Sequence, residues 1–250
     1  MELRHTHRIF VTGTLAEGAV FSATPDQTHH LLHVLRLQIG DILRLFNGRD
    51  GEYRGSVAAA GKNKMEIKIF EQIRPQQAEP DLWLCCAPIK KTRFDFMLEK
   101  ATELGVREIQ PILTAHTQIR EVNADRAYAI CREAAEQSER LSVPAVGNPV
   151  SLADMADVFP KDRALIVCAE LGEAVAIHDA LLSPELRKFP KAAIVTGPEG
   201  GFVAEELDVL RKIPNAFFVR LGPRILRADT AAIAALTCWQ AIQGDWNRKA

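Results

Sequence analysis

The sequence lacks several features that mark large classes of protein. No apolar run approaches the roughly 18–20 residues that span a bilayer, and the N-terminus, MELRHTHRIF, lacks the apolar core of a signal peptide. We therefore predict no membrane association and a cytoplasmic location. The five cysteines are an odd number without C-x-x-C spacing, so we expect neither disulfides nor a bound metal.

A strong excess of basic residues is also missing. The formal net charge of −1 argues against a protein that binds nucleic acid over its whole surface. Residues 1–74 nevertheless carry 10 Lys or Arg against 8 Asp or Glu, and five of the seven histidines lie there. This asymmetry weakly favours an RNA-facing N-terminal segment.

Residues 1–74 have the pattern of a small β-rich domain. Five short runs of strand-forming residues are separated by turn signals such as Asn47-Gly48 and Asp50-Gly51. One helix interrupts them, beginning at Thr24-Pro25-Asp26 with an N-cap candidate and an early proline. The pattern predicts a small β-barrel, the size of many RNA-binding modules.

After a polar, proline-bounded linker at residues 75–80, the pattern changes to one of apolar strands that alternate with helices. Residues 81–250 therefore predict an α/β domain with a parallel sheet covered on both faces. The predicted strands are Leu82–Pro88, Ile109–Leu113, Ala164–Ala169, Ala192–Thr196 and Phe217–Leu221, and the main helices are Arg93–Leu104, Ala124–Leu141 and Asp229–Ile242.

Gly197–Gly201 forms a glycine-containing turn between a strand and a helix. It matches neither G-x-x-x-x-G-K-[ST] nor G-x-G-x-x-G. Glu199, Glu205 and Glu206 place negative charge where a helix N-terminus would otherwise bind phosphate, so a ligand held by its phosphates is disfavoured. A tight structural turn without a ligand is the alternative for this loop taken alone.

A second turn, Leu221–Leu226, follows the last strand and precedes a helix that is apolar on nearly every face. Arg224 and Arg227 stand directly before this helix and are candidates to face an anionic partner, although two ordinary surface arginines would show the same spacing. Asp229 is a candidate acid–base residue, or simply the N-cap of the helix.

Together these segments resemble the RsmE-type methyltransferases of the SPOUT superfamily. GPEGGF at 197–202 with LGPRILRADTA at 221–231 is similar to the family's paired signature. K-x-x-R and KATELGV at 90–106, EA-x-EQS-x-R-x-x-x-P at 133–144 and HHLLHVLRLQIGD at 29–41 follow the family's other motifs in order. One departure is Ala228-Asp229, where the family usually has Thr-Glu, so no hydroxyl is available at position 228.

The resemblance implies a PUA-like N-terminal barrel and a C-terminal SPOUT α/β domain with a deep trefoil knot. It also implies a homodimer that uses S-adenosylmethionine to methylate N3 of a specific uridine in 16S ribosomal RNA of the small subunit. The cofactor would be bound by three loops, which contain Ala169, Glu170, Thr196, Gly197, Pro198, Glu199, Gly200, Gly201, Leu221, Gly222, Ile225 and Leu226.

A cation near the uracil oxygens would favour loss of the N3 proton, and Arg227 or Arg224 are the candidates, with Asp229 as a candidate base. The predicted RNA-binding residues are Arg8, His33, Arg36, Lys90, Lys91, Arg93 and Arg140. Two alternatives stay open: a related SPOUT enzyme acting on transfer RNA or a ribose 2′-hydroxyl, and a non-catalytic RNA-binding assembly protein.

Overall fold

The computed structural model describes residues 6–61, 64–169 and 174–247, which belong to two units. The first comprises Met1–Ala78 with Ala135–Val143, and the second comprises Glu79–Ala134 with Pro144–Ala250. This division differs from the predicted boundaries in two respects. Ala135–Val143 was predicted to lie in the C-terminal domain, and residues 75–80, predicted to be a linker, are divided between the units after Ala78.

The first unit is built on a five-stranded sheet in the order β1-β3-β4-β5-β2, in which β1 and β3 are parallel and the other pairs antiparallel. Along β5 the side chains of Met65, Ile67 and Ile69 are buried in the core while those between them are more exposed, as strand periodicity requires. The strands are β1 (Arg8–Phe10), β2 (Val20–Ser22), β3 (Ile42–Phe46), β4 (Glu52–Gly61) and β5 (Lys64–Arg74).

The predicted helix start in this unit is confirmed. α1 (Pro25–His29) begins with a capping box, in which the Thr24 hydroxyl accepts from the Gln27 amide and the Gln27 side chain accepts from the Thr24 amide. The helix then continues as a π-helical turn, His30–Val34, which the sequence did not predict.

Ala135–Val143 belongs to the first unit because apolar and charged contacts bind it there. Phe46, which is fully buried, packs against Ala135 and Leu141. The guanidinium of Arg8 donates to the backbone carbonyls of Ala135 and Arg140. The Arg8 contacts join segments more than 120 residues apart in the chain, so local sequence patterns could not reveal them.

The second unit is built on an eight-stranded sheet in which every pairing is parallel, which confirms the predicted α/β class. The order is β11-β13-β10-β12-β6-β7-β8, and β9 also pairs with β7. The strands are β6 (Leu82–Cys86), β7 (Glu108–Leu113), β8 (Ala145–Val146), β9 (Val150–Ser151), β10 (Arg163–Cys168), β11 (Val175–Ala176), β12 (Lys191–Thr196) and β13 (Ala216–Arg220).

Helices cover this sheet. They are α2 (Lys91–Glu103), α3 (Ala124–Gln137, whose last three residues belong to the first unit), α4 (Leu152–Asp157), α5 (Ile177–Leu182), α6 (Pro184–Arg187), α7 (Ala204–Arg211) and α8 (Ala228–Ile242). The last of these packs against α2, α5 and β12. No helix among the described residues is long and apolar enough to cross a membrane.

α8 begins one residue earlier than predicted, and this changes the interpretation of Asp229. Arg227 occupies the N-cap position without a side-chain capping bond, and Asp229 is the second residue of the helix. The alternative that Asp229 is the N-cap is therefore wrong. Its carboxylate still lies in the first turn, where negative charge stabilises a helix.

Candidate functional site

The turns after β12 and β13 meet Ala169, which follows β10, at the carboxyl ends of these three strands. Because these strands are parallel neighbours, their carboxyl ends lie on one edge of the sheet, the usual place for ligand sites in such folds. Two cavities of about 410 Å³ each open there, within the range of about 300–1,000 Å³ that small-molecule sites occupy. Cys168, Ala169, Ile225, Leu226 and Ala231 line both cavities.

The two cavities differ in their remaining walls. One is completed by residues from the end of β13 and the second turn: Val219, Arg220, Leu221, Gly222, Pro223 and Arg224. The other is completed mainly by the first turn and the start of α8: Thr196, Gly197, Pro198, Glu199, Gly200, Gly201, Phe202, Leu207, Arg227 and Ala228. The structure thus brings together the predicted cofactor residues that it describes, while Glu170 lies outside the described residues.

Glycine is required at two places in these walls. A Cβ on Gly200 would lie 2.9 Å from the Cβ of His116, closer than real Cβ atoms approach, so a larger residue would displace the loop. Gly222 has φ +104°, a conformation that side chains disfavour, and nothing lies within 4 Å of where its Cβ would be. Backbone groups are therefore exposed along the cavity walls for a ligand to contact.

The Gly197–Gly201 turn is held in place by residues that the sequence did not indicate. The Glu206 carboxylate accepts hydrogen bonds from the amides of Val203, at 3.0 Å, and Ala115, at 2.7 Å. His116 Nδ1 lies 3.2 Å from the carbonyl oxygen of Gly201. Ala115 and His116 follow β7, on a different segment of chain, so only the fold brings them to the turn.

Two buried groups in the cavity walls bear on the chemistry of the site. Thr196 Oγ1 is buried and has no hydrogen-bond partner among the described residues, so it is available to a ligand. Burial raises the pKa of the Cys168 thiol to about 12, so it stays protonated at neutral pH and is a poor nucleophile. The site is suited to binding and alignment rather than to covalent catalysis by cysteine.

The three predicted catalytic residues lie close to one another in sequence but in different surroundings. Arg224 and Arg227 are exposed, each at one cavity, and neither forms an ion pair with any residue that the structure describes. Asp229 lines neither cavity. Its Oδ2 lies 3.5 Å from Nη1 of Arg93 on α2, and its Oδ1 is buried without a described partner.

The predicted RNA-binding residues divide by exposure. His33 and Arg36 in the first unit and Lys90 and Lys91 in the second are exposed. Arg8 and Arg140, by contrast, are each only 8% exposed. Arg8 donates to Glu52 at 2.6 Å as well as to backbone carbonyls, and Arg140 donates to Ser142 Oγ at 3.1 Å. Burial therefore argues against phosphate contacts for these two arginines.

Residues 6–61, 64–169 and 174–247 contain no group of three His, Cys, Asp or Glu side chains that could hold a metal ion. All five cysteines are free thiols, three of them fully buried.

Comparison with known proteins identifies the family. Residues 76–240 match the model of an RNA methyltransferase domain, and residues 23–70 match that of an RNA methyltransferase PUA domain. Ribosomal RNA small subunit methyltransferase E of Rickettsia conorii is 35% identical over 92% of this chain and 93% of its own length.

Two solved structures share the architecture. The Neisseria gonorrhoeae ribosomal RNA small subunit methyltransferase E bound to S-adenosyl methionine has a TM-score of 0.87 at 27% identity, covering 97% of this chain and all of that one. A Legionella pneumophila methyltransferase in complex with the same cofactor has a TM-score of 0.84 at 28% identity, covering 95% and 98% of the two chains. The chain therefore belongs to the RNA methyltransferase family that includes ribosomal RNA small subunit methyltransferase E.

Proposed function

We propose that this protein is an S-adenosylmethionine-dependent methyltransferase that modifies N3 of a uridine in 16S ribosomal RNA. The observation that carries the proposal is the meeting of the turns after β12 and β13 with Ala169 around two adjoining cavities, in a chain whose relatives include the cofactor-bound methyltransferases above. The uridine-N3 position rests on the resemblance of the sequence motifs.

The residues present fit this cofactor. S-adenosylmethionine, when bound, supplies an electrophilic methyl group on a sulfonium cation and carries no phosphate. The chain offers exposed backbone at Gly200 and Gly222, the free hydroxyl of Thr196 and the apolar side chains of Ile225 and Leu226. We propose that the described cavity residues named above bind the cofactor.

The acceptor nitrogen must lose its proton before or during transfer. We assign Arg227, and second Arg224, to stabilise the resulting uracil anion, because each guanidinium is exposed at a cavity and has no competing carboxylate among the described residues. Asp229 stays a candidate base, although its position behind the cavity wall favours a supporting role. The enzyme's main contribution would then be alignment of donor and acceptor.

RNA contacts are proposed for the exposed cations His33, Arg36, Lys90 and Lys91. N3 lies on the Watson–Crick edge, so the target uridine must be unpaired or flipped out of a helix. Phosphate contacts of this kind predict that the affinity for RNA falls steeply as the salt concentration rises.

Three further features belong to the proposal. A trefoil knot is supported by the placement of β10 between β12 and β13 and by the return of α8 to β12. A homodimer is supported by the exposed apolar side chains of Val175, Leu182 and Trp246, and sedimentation equilibrium would test it. A cytoplasmic location would place the protein where ribosomal RNA is assembled into subunits.

The test is transfer of a labelled methyl group from S-adenosylmethionine to stripped 16S RNA, isolated small subunits and transfer RNA, followed by mass mapping of the modified nucleotide. Label on N3 of one uridine of 16S RNA supports the proposal. Label only on transfer RNA, or on a ribose hydroxyl, would favour the related SPOUT activities. Absence of binding heat with the cofactor in a folded protein would favour a non-catalytic assembly factor.

A further inference from the structure

We propose that Arg93 is a positioning residue for methyl transfer rather than an RNA contact. Through its ion pair with Asp229 it fixes the first turn of α8, which carries Arg227 and Ala228 into the cavity wall. This inference rests on the proposed function. It joins two motifs, K-x-x-R and R-A-D-T-A, that lie 136 residues apart in the sequence.

The start of α2 carries positive charge without an acidic residue beside it. Lys90 is the N-cap, Lys91 and Arg93 lie in the first turn, and no acidic residue accompanies them. Cations at a helix N-terminus oppose the partial positive charge there, so this arrangement destabilises α2 when considered alone. Asp229 supplies the missing carboxylate from α8. A local rule broken in this way is typical of a functional site.

α2 and α8 are joined at both of their ends. At the far end of the pair, Nε2 of Gln240 donates to the carbonyl oxygen of Leu104 at 2.6 Å. Arg93 and Leu104 are eleven positions apart in the chain, and so are Asp229 and Gln240. Since both helices rise equally per residue, they run side by side in the same direction and are joined at both ends.

The two attachments differ in their surroundings. Gln240 is fully buried, and its bond satisfies a carbonyl at the end of α2, which is a structural contact. The Arg93 and Asp229 side chains are 37% and 15% exposed, and Arg227 and Ala228 of the cavity wall immediately precede Asp229. The carboxylate has one long contact, and its other oxygen is buried without a described partner. Arg93 is therefore the one described side-chain partner of the Asp229 carboxylate, and we infer that it holds the first turn of α8 in position.

The two possible roles of Arg93 predict changes in different kinetic quantities. An RNA contact would affect the dissociation constant for RNA, whereas a positioning residue affects turnover at saturating RNA. Arg93→Met and Asp229→Asn are each expected to reduce turnover about 10- to 100-fold, because small displacements of catalytic groups have effects of that size. Affinity for RNA should stay within about twofold, and the double variant should be no worse than the poorer single variant.

Arg126→Met is the matched control. It breaks an ion pair between Arg126 and Asp95, with atoms 2.6 Å apart, that also involves α2 but not α8. Turnover of this variant is expected to stay at the wild-type level. A loss of RNA affinity with unchanged turnover in Arg93→Met would overturn the proposal, as would additive losses in the double variant.

Hydrogen exchange supplies a readout that does not depend on activity. Amides of Ala228–Ala231 should exchange faster in Arg93→Met and Asp229→Asn than in the wild type or Arg126→Met, and equal rates would overturn the inference. If the wild-type protein methylates no RNA, the proposed function fails while the exchange result still decides on the helix attachment. Should Arg93→Met not fold, Arg93→Lys replaces it. Arg93→Lys keeps the positive charge, so it should retain part of the wild-type turnover and part of the wild-type protection of the Ala228–Ala231 amides. A folded Arg93→Lys that retains neither would rule out the ion pair as the cause.

Discussion

Two groups of arginines occupy opposite environments in this protein, although the sequence presents them alike. In the first unit, the completely buried carboxylate of Glu52 forms ion pairs with three arginines. Its oxygens lie 2.6 Å from Arg8, 2.5 Å from Arg74 and 3.7 Å from Arg44. In the second, Arg224 and Arg227 are exposed at cavities and pair with no described carboxylate.

The contrast separates structural from functional arginines. A buried guanidinium must form its hydrogen bonds with other groups of the protein, because an unpaired buried charge is strongly destabilising. Burial lowers the pKa of Arg8, and Glu52 opposes that effect. An exposed guanidinium is solvated and can exchange water for a ligand. This difference between buried and exposed arginines leads to four predictions.

Glu52→Gln should have the largest effect, on stability. It leaves three arginines around an uncharged group, and breaking a buried charge cluster costs about 3–5 kcal/mol. The free energy of unfolding in urea, followed by circular dichroism, measures the loss. Glu71→Gln is the control, since its ion pair with Arg54 is 47% exposed on the glutamate side and should contribute at most about 1 kcal/mol. Equal losses for both variants would contradict the comparison.

Arg227→Ala should leave stability nearly unchanged and reduce methyl transfer by about 10²–10³-fold, the effect of removing one group that stabilises developing negative charge. Turnover at saturating RNA and the urea midpoint are measured on the same preparation. Arg224→Ala is expected to show a smaller loss. If Arg227→Ala instead unfolds at markedly lower urea, the arginine is structural, and the distinction drawn from exposure is mistaken.

Gly200→Ala should weaken cofactor binding, because its Cβ would meet His116 at 2.9 Å. Overpacking of this kind costs about 1–3 kcal/mol. If the loop shifts to relieve the overlap and must shift back to bind the cofactor, this cost raises the dissociation constant measured by calorimetry roughly tenfold or more. Gly61→Ala is the control, since the nearest atom to its added Cβ is 3.9 Å away. Unchanged affinity in Gly200→Ala would show that the loop can move without affecting the site.

Glu139→Gln should alter the acid sensitivity of the first unit. The hydrogen bond from Arg44 holds the pKa of Glu139 below its ordinary value. A carboxyl whose pKa is depressed on folding stabilises the protein above the unfolded pKa, near 4.3, and loses that contribution as pH falls through the folded value. Urea midpoints at pH 7 and pH 3 should therefore differ less in the variant than in the wild type. The same change at Glu185, an exposed residue that forms no ion pair with a described residue, is the control for the loss of one negative charge.

Most of the fold could be predicted from the sequence because it follows from local patterns. Alternating apolar runs predicted the β-rich first unit and continuous apolar runs predicted the parallel sheet of the second, and Thr24 and Pro25 marked a helix start that the structure confirms. Helix ends were less certain, since α3 ends at Gln137 rather than Leu141 and α8 begins at Ala228 rather than Asp229.

The turns that border the cavities can be located from the amino-acid sequence, because glycine-containing turns after strands are encoded within a few residues. The use of each charge, by contrast, follows from the folded structure. Arg8 is buried against Glu52, Arg93 pairs with Asp229, and Arg227 stays exposed. The physical reason is that burial and ion pairing depend on groups that are 44 and 136 residues away along the chain, and no local pattern contains that information.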